Sequence, residues 1–129
     1  MNILLATDGK AHSEKAINYA LDYAKLNKAM LFIVFVVSPK AGEDREKIIK
    51  QGMSVLEELK KRALEQSVAV TTLLEAGNPY EAIITASERV NADAIIVGTS
   101  GKSVVDRVLI GSVSEYVVRH SRCTVIVVK

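Results

Sequence analysis

Met30-Leu31-Phe32-Ile33-Val34-Phe35-Val36-Val37 is an unbroken apolar run, rich in β-branched residues, and its reading decides the fold. A strand with one wet face alternates apolar and polar side chains. A strand with no polar position is covered on both faces, as in a parallel sheet between two helical layers. Pro39 and Gly42 end the run. Upstream, Asn2 to Thr7 reads as a first strand, after which Ala16, Ile17, Ala20, Leu21 and Ala24 recur at the spacing of one helical face, with Ser13 as N-cap. Downstream, a helix from Glu43 to Gln66 sets Ile49, Met53, Leu56, Leu59 and Ala63 on its buried side and Glu57, Lys60 and Lys61 on the other. Val68 to Leu74 follows as a third strand. Gly77-Asn78-Pro79 then opens a helix: Asn78 caps it, Pro79 suits its first turn, and Glu81 completes a capping box. Ala82, Ile83, Ala86 and Val90 form its buried face. Ala94 to Val97, ending at Gly98, is a fourth strand, Ser112 begins a last helix carrying Val113, Val117 and Val118, and Thr124 to Val128 is a fifth strand.

Strict alternation of strand and helix requires a parallel sheet with right-handed crossovers, because each helix must return the chain to the same end. The expectation is a single α/β domain over residues 1–129, an open parallel five-stranded sheet of order 3-2-1-4-5 with helices on both faces. That order puts the topological switch between strands 1 and 4, so ligand residues should follow those two strands. Ser38 to Glu43 reads as a surface loop.

Composition narrows the function classes. With 17 Lys and Arg against 15 Asp and Glu, spread along the chain, there is no electrostatic case for nucleic acid or a membrane surface as partner. The opening Met1-Asn2-Ile3-Leu4-Leu5-Ala6 is too short for a signal peptide, and no apolar run approaches the roughly 18 residues of a membrane span. Cys123 is the only cysteine, which excludes an intramolecular disulfide scaffold and fits a reducing, cytoplasmic setting; it reads as a packed thiol.

The chemistry-bearing segment follows strand 4. Gly98-Thr99-Ser100-Gly101 and, nine residues further on, Gly111-Ser112 form the pattern GxxGx9GS. Gly98 and Gly101 allow positive φ and leave no Cβ between backbone amides and a ligand, as a phosphate cradle needs. Gly111-Ser112 opens the last helix, whose unpaired N–H groups and positive dipole end favour an anion, and the Ser112 hydroxyl adds a donor. Glycines at such places also serve plain tight turns. Lys102 and Arg107 read as solvated loop residues outside the core site. Across the switch, strand 1 ends in Ala6-Thr7-Asp8-Gly9. Asp8 is an acceptor suited to ribose hydroxyls or the adenine amino group, although a capping role would also account for it.

Ile3-Leu4-Leu5-Ala6-Thr7-Asp8-Gly9, Gly77-Asn78-Pro79, Asp93 to Gly98 and the GxxGx9GS segment together resemble the universal stress protein family, over nearly the whole chain. The resemblance implies an adenine nucleotide alpha hydrolase-like, Rossmann-like fold and membership of the ATP-binding subgroup, to which this glycine spacing belongs. It implies that Ala6, Thr7, Asp8 and Val36 line the adenine and ribose side and that Val97 and Gly98 lie beneath the nucleotide. Gly101, Gly111, Ser112, Val113 and Ser114 would hold the phosphates. The family often has His before the second glycine, where this chain has Ser100. The resemblance also implies a homodimer paired through Thr124 to Val128.

Hydrolysis needs an oriented water and a base, and Asp106 is the only acid or imidazole within the motif, so the expectation is an ATP-binding regulatory or stress-response protein with slow or no turnover. His12 and His120 stand apart from any Cys, Asp or Glu cluster of ligand spacing, so Mg2+ would be carried on the phosphates. The alternative is a nucleotide-independent dimeric interaction module of the same fold. A phosphoacceptor receiver is disfavoured because Asp8 has no acidic neighbour and strand 3 ends in Glu75-Ala76. A flavodoxin-like site is disfavoured because Asp8-Gly9-Lys10-Ala11-His12 is not a hydroxyl-rich turn.

Overall fold

The computed structural model describes residues 1–38, 43–99 and 111–129. The expectations placed on Pro39, Gly42, Ser100, Gly101, Lys102, Asp106 and Arg107 lie outside the described residues. The chain runs through β1 (Asn2–Ala6), a 3-10 turn (Ala11–Ser13), α1 (Glu14–Asn27), β2 (Met30–Val37), α2 (Arg45–Glu65), β3 (Val70–Ala76), α3 (Pro79–Arg89), β4 (Ala94–Gly98), α4 (Ser112–His120) and β5 (Thr124–Val128). The strands form one sheet of order β3-β2-β1-β4-β5. All four pairings are parallel, and β1 lies between β2 and β4, with Leu4 opposite Phe32 on one side and Ile95 on the other. The architecture is the one the alternation of elements predicts.

Successive side chains of a strand point to opposite faces, so each strand feeds two cores. Ile3, Leu5, Leu31, Ile33, Phe35, Val37 and Ile96 pack beneath Ala16, Ile17, Ala20 and Leu21 of α1 and Leu56, Leu59 and Ala63 of α2. Leu4, Val34, Ile95 and Val97 face the other way, against Ile83 and Ala86 of α3 and Val117 of α4. Right-handed crossovers require this division, because the sense of travel across the sheet reverses after β3. No helix among the described residues is long and apolar enough to cross a membrane.

On α2 the structure corrects one expected core position. Met53 is exposed, and Gly52 takes its place on the buried stripe. At 100° per residue Gly52 falls between Leu59 and Ala63 on the helical wheel, whereas Met53 lies about a quarter turn away. A Cβ at Gly52 would come within 2.7 Å of the Phe35 ring and 2.9 Å of Leu74 Cδ1, so the helix approaches the sheet at a point with no space for a side chain.

β3 begins two residues later than its apolar pattern predicts, because Val68 belongs to the end of α2. Its amide donates to Ala63 O (2.8 Å) and that of Ser67 to Leu64 O (3.0 Å), with Ser67 at φ +61°. This is a Schellman closure, sealed by the buried Val68. α1 closes in the same way through Lys28 (φ +50°) and Ala29, and α3 through Asn91 (φ +53°) and Ala92. At the helix starts, Asp44 Oδ1 accepts from the amides of Glu46 and Lys47, and Asn78 Oδ1 from that of Tyr80 (2.9 Å). The Asn78 cap is as expected. The expected capping box is absent among the described residues: Asn78 bonds the amide of Tyr80 rather than that of Glu81, and Glu81 makes no return bond to the Asn78 amide.

Candidate functional site

A cleft of about 210 Å³ opens at the carboxyl ends of β1, β2 and β4, at the topological switch point. Its floor is apolar: Ala6, Val34, Val36, Ile83, Val97 and Val113. One rim carries Thr7, Asp8, His12 and Ser13, and the opposite rim Gly98, Thr99, Gly111, Ser112 and Ser114, with Pro79 at the start of α3 beside it. The structure therefore brings Ala6, Thr7, Asp8, Val36, Val97, Gly98, Gly111, Ser112, Val113 and Ser114 together around one space. Gly101 is outside the described residues.

The β1 rim is internally bonded. The Thr7 hydroxyl donates to Ser13 Oγ (3.1 Å) and accepts from the Gly9 amide (3.1 Å), and the Ser13 hydroxyl donates to Lys10 O (2.6 Å). Both hydroxyls are buried and both are occupied within the turn. Ser13 stands at the N-cap of α1 as expected, but its side chain makes no cap bond, because this network holds it. Gly9 lies at φ +73°, where a Cβ would sit 2.5 Å from Val55 Cγ2 of α2, so the turn needs glycine for conformation and for space.

Asp8 is both a turn acid and a cleft residue. Its Oδ1 accepts from the Lys10 amide (2.9 Å), and Oδ2 lies 2.9 Å from His12 Nε2. The 3-10 turn folds His12 back onto Asp8, four positions earlier, a pairing the sequence reading did not anticipate. A carboxylate has about four acceptor sites, so lone pairs of Asp8 remain for a ligand. Among the described residues no three His, Cys, Asp or Glu side chains converge as a metal site.

The α4 rim is built in the opposite sense. Gly111 is the N-cap and has no side chain to satisfy the first amides, and the first intrahelical bond runs from Glu115 N to Gly111 O (2.9 Å). Among the described residues the N–H groups of Ser112, Val113 and Ser114 find no acceptor, as the geometry of a helix start dictates. Ser114 contributes here through its backbone, because its buried hydroxyl donates to Gly111 O (2.9 Å). Ser112 Oγ accepts from the Tyr80 hydroxyl (3.1 Å). Gly98 ends β4 as part of the strand and does not use the positive φ that glycine allows: the left-handed glycines among the described residues are Gly9 and Gly77, and a Cβ on Gly98 would make an ordinary 3.4 Å contact with Ala16.

Sequence reasoning missed His12, Ser13, Val34, Pro79, Ile83 and Thr99 as lining residues. Val34 carried a signal, since it shares a strand face with Val36. His12 carried one too, at helical spacing from Asp8.

Sheet order and cleft together define a Rossmann-like domain open at its switch point. The chain matches the universal stress protein family over residues 1–129, and it belongs to that family. A universal stress protein of Methanocaldococcus jannaschii is 35% identical over 137 aligned positions, covering 98% of this chain and 81% of the relative. A universal stress protein structure from Archaeoglobus fulgidus superposes with a TM-score of 0.85 over 100% of this chain and 98% of its own, a likeness of fold at 22% identity. Another universal stress protein, solved in complex with cAMP, has a TM-score of 0.80 at 25% identity and covers 100% of this chain and 97% of that one.

Proposed function

We propose that the cleft binds an adenine nucleotide, ATP foremost, and that the protein is a nucleotide-dependent regulatory binder of the stress-response type with slow or no hydrolysis. One observation carries the reading: the first turn of α4, without a side-chain cap, brings to an apolar cleft the Ser112 hydroxyl and three amides that have no acceptor among the described residues, and the far rim of that cleft holds a carboxylate. Phosphate oxygens suit the amides and the positive end of the helix dipole. A flat base suits the floor of Ala6, Val36 and Val97, and ribose or adenine donors suit Asp8. The cAMP complex of a family relative supports an adenine ligand. Gly101 completes the phosphate cradle in this reading. Mg2+ rides on the phosphates, because the described residues offer no metal cluster of their own.

The placement of the described groups supports the reading of slow turnover. Among the described residues the acid and imidazole of the cleft, Asp8 and His12, both stand on the β1 rim, away from the phosphate end. The edge strand β5, with half-buried Val125 to Val128, serves as the dimer seam, since an open apolar edge is otherwise an aggregation hazard. The cytoplasm is the compartment in this reading.

Calorimetric titration with ATP, AMP and cAMP tests the nucleotide reading, alongside Gly111→Leu. Gly111 has φ −48°, which any residue adopts, so the variant should fold while its side chain intrudes on the phosphate space. The expected outcome is saturable ATP binding by the parent and at least tenfold weaker binding by Gly111→Leu. A parent that binds no adenine nucleotide would leave the dimeric interaction module as the better reading.

A further inference from the structure

Tyr80 lines no part of the cleft, yet it touches Ser112, whose hydroxyl stands on the α4 rim. Its hydroxyl donates to Ser112 Oγ (3.1 Å) across 32 positions of sequence. The phenol is fixed from two directions. Its backbone amide is tied to the Asn78 cap (2.9 Å), and its ring meets Tyr116 of α4 edge to face, with centroids 5.4 Å apart. Tyr116 in turn stacks on His120 at 3.9 Å, and a ring nitrogen of His120 lies 2.9 Å from Tyr116 O. The Tyr80 hydroxyl is therefore held over the first turn of α4.

A serine hydroxyl has one proton to donate and two lone pairs to accept with. A phenol is the stronger acid of the pair, so Tyr80 donates and Ser112 accepts. Ser114, two residues along, shows the alternative fate of a hydroxyl here, since its proton goes back to Gly111 O (2.9 Å). Ser112 differs: one lone pair is taken by Tyr80, and among the described residues its proton has no acceptor. A donor that is also an acceptor is polarised by the bond it receives and becomes the better donor. We infer that Tyr80 is a positioning residue, which holds Ser112 as a donor toward a phosphoryl oxygen and so makes the cleft select phosphorylated ligands over the bare nucleoside. This deepens the nucleotide reading and rests on it.

The test is a double-substitution cycle of Tyr80→Phe and Ser112→Ala, with adenosine, AMP and ATP as titrants and the melting temperature of each ligand-free variant as control. Tyr80→Phe keeps the ring on Tyr116 and removes only the oxygen. It should weaken ATP and AMP about three- to tenfold, the scale of one neutral hydrogen bond, and leave adenosine within about twofold. In the Ser112→Ala background it should add less than about twofold. Tyr116→Leu removes the ring support and leaves both hydroxyls; it should give a smaller loss with the same bias toward phosphorylated ligands, and it keeps the inference testable should Tyr80→Phe fold poorly. Unchanged ATP affinity in Tyr80→Phe, equal losses for adenosine and ATP, or independent multiplying losses in the double variant would each overturn the role of Tyr80 while parental binding stands. Failure of the parent to bind any of the three would instead remove the nucleotide reading, and this inference with it.

Discussion

The two faces of the sheet are made from the same strands and do different work. Beneath α1 and α2, which are 14 and 21 residues long, Ile3, Leu5, Leu31 and Ile33 are sealed along the whole sheet. Beneath α3 and α4, 11 and 9 residues long, Leu4, Val34 and Ile95 are sealed equally well, but Ala6 and Val36 at the strand ends stay half-buried between Pro79 and Ser112. The first face holds the fold together. Among the described residues the second stops short of closing over the switch point, and the space it leaves is the cleft. In the proposed reading, stability and binding thus lie on opposite sides of one layer of strands.

Substitutions on the two faces should separate these properties. The largest effect belongs to Leu59→Ala on the closed face, which empties a site only 2% exposed and should lower stability by about 2–5 kcal/mol in urea unfolding. Nucleotide affinity of the folded fraction should stay within about twofold. A loss of affinity larger than that would break the separation. Gly9→Ala comes next, because Gly9 is where the closed face meets the rim: its φ of +73° and its 2.5 Å approach to Val55 Cγ2 strain any side chain. We expect a loss of about 1–3 kcal/mol, and weaker ATP binding as the turn carrying Asp8 shifts. The smallest change in stability belongs to Val36→Phe on the open floor, within about 1 kcal/mol, while the ring fills the cleft and reduces ATP affinity at least tenfold. Equal ATP affinity in parent and Val36→Phe would show that the floor holds no base.

The sheet was legible because its strands are short apolar runs with turn residues between them, and because strict alternation of strand and helix implies a parallel sheet of one of a few common orders. Asn78 was legible as a cap from its place before Pro79. The ends of α1, α2 and α3 were not, since Lys28, Ser67 and Asn91 occupy left-handed positions where a glycine would have announced the stop. Gly52 was obscured by Met53, because hydrophobicity suggested a core side chain where the packing left no volume for one. In the site, the β1 end and the α4 start could be read from their motifs. The Asp8–His12 pair depends on a 3-10 turn that composition does not specify. The Tyr80–Ser112 bond depends on how α3 and α4 pack, which no local pattern encodes.

The central claim, that the open face is a nucleotide site, is tested most directly by thermal unfolding of nucleotide-free protein with and without Mg-ATP. Ligand at about 100 times its Kd stabilises the folded state by roughly 2.7 kcal/mol, which for a domain of this size raises Tm by several degrees. We expect that rise in the parent and its absence in Gly111→Leu. No rise with ATP, AMP or cAMP at millimolar concentration would contradict the account.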